Sequence, residues 1–173
     1  MRRIILPMML VLATLSTAGC DILPRSEAQD TAAVRQTVMA YTEALARGFE
    51  TLDMNALNQT ATEEQATQAF YLMAALGEGR VRMISEMQDI ELSEVTFPEE
   101  GVASVTTTET WDYDHISLDT SETVRTERGV VYRLRYDLAI QPDGRWFVTA
   151  VTSLDELPDT GEPAPGPSRS ATP

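Results

Sequence analysis

The chain contains no lysine. Every one of its 13 basic residues is an arginine, set against 27 acidic residues for a net charge of −14. A surface this acidic repels nucleic acid and anionic lipid headgroups, so no nucleic-acid partner is expected. Cysteine occurs once, at Cys20, and histidine once, at His115. A single cysteine excludes an intramolecular disulfide, so the domain must be stable through its core alone. One imidazole and one thiol leave nothing to build a zinc site and little for a Ser-His-Asp triad, so no metal or cofactor is expected. A glycine-rich phosphate loop, a nucleophile elbow and an HExxH motif are all missing. So is any apolar run near the ~20 residues that a membrane-spanning helix needs. The longest runs from Ile4 to Leu15 and is interrupted by Pro7.

What stands around that run is informative. Arg2 and Arg3 precede it and the small residues Ala18 and Gly19 follow, ending in Cys20. Charged, apolar, then small is the order of a secretory signal peptide. The stretch Ser16-Thr17-Ala18-Gly19-Cys20 resembles the lipobox of bacterial lipoproteins, with Thr17 where leucine is usual. The resemblance implies a signal peptide over 1–19, cleaved before Cys20, and acyl chains of the palmitate kind on Cys20. Two or three acyl chains hold a protein on a membrane stably where one would not. Cleavage there leaves 11 arginines against 27 acids, a net charge of about −16. The reading is therefore a bacterial cell-envelope protein, anchored to a membrane and facing outside the cytoplasm.

The mature chain divides into a tether over 20–29, a domain over 30–155 and a proline-rich tail over 156–173, which is expected to be disordered. Val34, Val38, Tyr41, Leu45, Phe49 and Leu52 form one apolar stripe and predict a helix from Asp30, as N-cap, to Glu50. Asp53 caps an expected short helix. Thr62 to Gln65 (TEEQ) has capping-box form and opens the next, bearing Ala66, Phe70, Met73 and Leu76. From Arg82 the pattern turns strand-like. Val130, Tyr132, Leu134, Tyr136, Leu138 and Ile140 occupy alternate positions, which predicts a strand with one buried face. Pro142-Asp143-Gly144 is a hairpin turn and Arg145 begins the returning strand. Helices followed by strands predict an α+β domain, its N-terminal helices packed on a curved antiparallel sheet of about four strands.

This order is similar to the cone-shaped fold of the nuclear transport factor 2 (NTF2)-like superfamily. The residues that carry the likeness are TETWDYDH (108–115) and VVYRLRYDLAIQPDGRWFVTAV (130–151), and they look most like the IMS-type domain of plastid and cyanobacterial division scaffolds. The resemblance implies a cavity between sheet and helices, which in such folds is catalytic, ligand-binding or filled with side chains. Fold alone does not choose among these.

One cluster bears on chemistry. In an alternating strand Glu109, Trp111, Tyr113 and His115 share a face. If that face lines the cavity, a carboxylate and an imidazole meet in an apolar pocket, where pKa values move toward general acid–base roles. If it does not, Trp111 and Tyr113 are core or rim residues and His115 is solvated. Asp112 and Asp114 then face the other way. No catalytic residue is assigned. The leading expectation is a non-enzymatic envelope lipoprotein that binds a protein or peptide partner. The alternative is a small-molecule-binding or isomerase-like pocket using Glu109, Trp111, Tyr113 and His115. Homodimerisation through the outer sheet face, at Val131, Arg133 and Arg135, is a third expectation.

Overall fold

The computed structural model describes residues 26–155. The expected signal peptide, Cys20 and the tail from 156 lie outside the described residues. Helix α1 spans Glu27–Thr51. It starts three residues before the expected Asp30, so Glu27, Ala28 and Gln29 belong to the helix and not to the tether. The reason is a capping box that the sequence reading passed over. Ser26 Oγ accepts the Gln29 N–H, and Gln29 Oε1 accepts the Ser26 N–H at 2.9 Å. Asp30 is released from capping and instead accepts the indole N–H of Trp146 at 3.1 Å, tying the first helical turn to the last strand. Asp53 accepts the Asn55 N–H at the start of a short 3-10 helix, Asn55–Gln59. Helix α2, Glu63–Glu78, has Thr62 at its N-cap position, but the expected capping box does not form. The Thr62 hydroxyl turns toward the Val148 carbonyl instead, while its backbone N–H donates to the same oxygen at 3.0 Å.

Five strands follow: β1 Val81–Leu92, β2 Thr96–Glu99, β3 Val102–Ser117, β4 Thr123–Ile140 and β5 Trp146–Ser153. All pair antiparallel in one sheet of order β1-β3-β4-β5, with β2 on the same edge of β3 as β1. The α+β architecture is as expected. The strand count rises from about four to five because the chain leaves the sheet at Ser93 and rejoins it at Thr96. Register shifts at Met87/Asp89, Trp111/Tyr113, His115/Ile116 and Asp137/Leu138 add local twist, and such bulges curl a long antiparallel sheet. Among the described residues no helix is long and apolar enough to cross a membrane.

Both helices lie on the concave face, and the inward positions of β3 divide it in two. Ala103 and Val105 enter the hydrophobic core with Val34, Val38, Leu57, Leu138 and Val148, all but closed to solvent. Burying a side chain such as Leu138 contributes about 2 kcal/mol. Further along the same face stand Thr107, Glu109 and Trp111, and there the concavity is left open.

Candidate functional site

The open half is a cavity of about 590 Å³ between α1, α2 and the sheet, within the usual range for small-molecule sites. Its walls are largely apolar and aromatic. All five tyrosines of the chain, 41, 71, 113, 132 and 136, line it, together with Trp111 and Phe49. Tyr71 and Leu72, on α2, are each 64% exposed and stand where it opens. Alternation on β4 turns Tyr132, Leu134 and Tyr136 inward, and the α1 stripe brings Tyr41, Leu45 and Phe49 across from them. The rings of Tyr41 and Tyr136 meet edge to face at 6.1 Å. Those of Trp111 and Tyr113 stack nearly parallel, also at 6.1 Å.

Glu109 lies in this wall, only 2% exposed. Three donors converge on it: the Thr107 hydroxyl at 2.7 Å and the Tyr136 hydroxyl at 2.8 Å on Oε1, and the Trp111 indole N–H at 2.8 Å on Oε2. An indole N–H can only donate, so the Trp111 contact fixes Oε2 as an acceptor, while the two hydroxyls meet Oε1. Burial and then the nearby Glu109 charge push the Tyr136 hydroxyl far above its usual range. Tyr113 is raised by burial and by the Tyr132 hydroxyl. Tyr41 is raised by burial, with partial relief from the Gln65 amide that donates to its oxygen at 2.8 Å. The hydroxyl oxygen of Ser85, on β1, is buried without a hydrogen-bond partner, and Ser85 lines the same cavity.

The four residues singled out in the sequence separate into two places. Glu109, Trp111 and Tyr113 line the cavity together. His115 does not. β4 carries an extra residue at each of the register shifts Trp111/Tyr113 and His115/Ile116, and past Trp111 no β3 residue is buried until Ile116. The His115 ring pairs instead with Glu127 at 3.1 Å, and Glu127 is held in turn by Arg125. The anticipated meeting of carboxylate and imidazole in one pocket therefore does not occur. Asp112 and Asp114 face away from the cavity. Asp112 accepts the Gly129 N–H at 2.7 Å, and Asp114 binds Arg128 and the Thr126 hydroxyl, which hold its carboxyl below the ordinary range.

Sequence reasoning missed Tyr41, Ser85, Tyr132 and Tyr136 as members of one site. Their alternation or helical spacing was legible, but not their convergence on one cavity. Among the described residues no group of His, Cys, Asp and Glu is arranged to hold a metal ion.

No family model matches the chain, and no curated protein matches it. Solved structures do. The intermembrane space region of the chloroplast protein ARC6 superposes with a TM-score of 0.64 at 16% identity, over 77% of this chain and 100% of that one. The chain has the NTF2-like fold. A ketosteroid isomerase-like protein from Erwinia carotovora atroseptica SCRI1043 gives 0.51 at 15% identity, over 74% of this chain and 98% of that one. An NTF2-like superfamily protein from Salmonella enterica serovar Typhimurium LT2 gives 0.50 at 13%, over 78% and 99%. At these identities the likeness speaks for the NTF2-like fold alone, and the site must be argued from its own residues.

Proposed function

We propose that this protein is a lipid-anchored, extracytoplasmic binding protein whose NTF2-like cavity holds a small, mainly apolar molecule without transforming it. The carrying observation is the cavity itself, open at α2 and walled by every tyrosine of the chain. Two features favour binding over turnover. The Glu109 oxygens are committed to three donors, which leaves a poor general base. The sole imidazole is engaged outside the cavity with Glu127. The signal-like N-terminus and Cys20 support the anchor.

The test is thermal unfolding of the full-length protein against a panel of small apolar and aromatic compounds. Ligands should raise the midpoint, and Leu134→Trp, which fills the cavity, should abolish the shift. A panel without effect on the unsubstituted protein would refute the binding reading. Steady turnover of a ligand, lost in Glu109→Gln, would refute the non-catalytic one. For the anchor, Cys20→Ala should release the chain from membranes or block its processing, and unchanged fractionation and mass would exclude the lipid.

One observation favours a second reading, a protein-interaction module. Phe70, Tyr71 and Leu72 are consecutive on α2 and at least half exposed, and large exposed apolar clusters commonly mark interaction surfaces. A photocrosslinker at Phe70 in cells should then capture one discrete envelope protein, and a crosslink pattern indistinguishable from background rejects this reading.

A further inference from the structure

Twenty residues line the cavity, and Glu109 is the sole charged one among them. None of the arginines of the described residues reaches it, although Arg82 and Arg133 lie on the two strands that flank β3. The Glu109 carboxylate is thus buried with hydrogen-bond donors and no countercharge. Three donors occupy three of the roughly four acceptor positions that a carboxylate offers, and its negative charge stays uncompensated.

The surrounding groups are those that favour a positive charge. A cation over the face of Trp or Tyr is attracted by the ring quadrupole, the more so where water is excluded. Trp111 and Tyr113 present a stacked pair, Tyr132 meets Tyr113 at 6.4 Å, and Tyr41 and Tyr136 form a second aromatic pair. The unpartnered Ser85 hydroxyl oxygen supplies an acceptor in the same wall. The charge of the whole chain, −14, steers cations toward the surface and anions away. An anionic ligand such as a fatty acid or a phosphate finds no counterion in this cavity.

From this we infer that the ligand is an organic ammonium ion with an apolar body, seated among the tyrosines with its charge toward Glu109 and an N–H or O–H toward Ser85. The inference rests on the small-molecule reading above and names its ligand class.

Calorimetric titration of the full-length protein with three molecules of one shape tests it: choline, its neutral carbon isostere 3,3-dimethylbutan-1-ol, and the anion 3,3-dimethylbutanoate. Choline should bind about tenfold or more tightly than the neutral isostere, with the anion weakest. The preference should persist at high salt, because a buried charge is screened far less than a surface one. Glu109→Gln should erase most of it, and Tyr132→Leu should weaken choline by a larger factor than the neutral compound. Equal binding of choline and its isostere overturns the cation assignment and leaves the cavity reading standing. A preference that vanishes with salt, or that Glu109→Gln leaves untouched, reports the acidic surface and also overturns it. If none of the three binds and the apolar panel shifts no midpoint, the cavity reading itself fails.

Discussion

Replacing Glu109 by Gln and by Ala should have very different consequences, and the difference can be worked from the hydrogen bonds. In Glu109→Gln the amide can place its carbonyl toward the Trp111 N–H and its NH2 toward the Thr107 and Tyr136 hydroxyls, which can accept as well as donate. Three charge-assisted bonds become neutral ones, a loss of about 1 kcal/mol each. Against that loss, a carboxylate without a countercharge is no longer buried, which is worth a few kcal/mol. The two nearly cancel, and Gln should lie within about 1 kcal/mol of the parent protein. In Glu109→Ala the indole N–H loses its acceptor in a buried wall, at about 1–3 kcal/mol, and the removed side chain leaves space that is only partly recovered. A destabilisation of about 3 kcal/mol follows. For a folded unit of this size the gap between the two variants corresponds to roughly 10 °C in unfolding midpoint. Thermal unfolding followed by far-UV and near-UV circular dichroism, the latter reporting on Trp111, measures it. If Gln unfolds as early as Ala, the negative charge and not the satisfaction of the donors holds the network, and the reasoning is wrong.

Three further outcomes are expected. Tyr41, Tyr113 and Tyr136 all have raised pKa values, so the native state keeps protons that unfolded tyrosine loses near pH 10. Their contribution is complete below that pH and falls as pH rises through it; denaturant midpoints between neutral and strongly alkaline pH should decline, and less steeply in Tyr113→Phe. Asp114 is depressed by the Thr126 hydroxyl and Arg128, so its contribution is present above about pH 4 and is lost as pH falls through its native value; Asp114→Asn should flatten that acid limb, and an unaltered limb counts against the pairing. His115→Gln should leave ligand affinity unchanged, since the ring lies outside the cavity, and a tenfold loss by calorimetry would return the imidazole to the site.

The fold was largely legible because its signals are local. The α1 stripe from Val34 to Phe49 and the alternation on β4 each follow from the period of one element. The departures also have physical causes, not all of them local. Ser26 and Gln29 cap α1 earlier than Asp30 would, since two reciprocal bonds satisfy two backbone donors. Thr62 spends its hydroxyl on Val148, a residue distant in sequence, and no short-range rule could show that. A fifth strand appears because three residues leave the sheet.

By itself, the sequence determined the α+β order and the inward face of β4, properties of period, and its single cysteine excluded an intramolecular disulfide. It also carried Glu109, Trp111 and Tyr113 as neighbours on one strand face. Only the tertiary structure decided that His115 leaves them, because its ring pairs with Glu127 where extra residues in β4 shift the β3–β4 register. Only the tertiary structure decided that tyrosines from α1, α2, β3 and β4 line one cavity with a carboxylate that no arginine of the described residues reaches. Such a site is a matter of distances between elements. A periodic pattern says which way a side chain points, and only packing says what it meets.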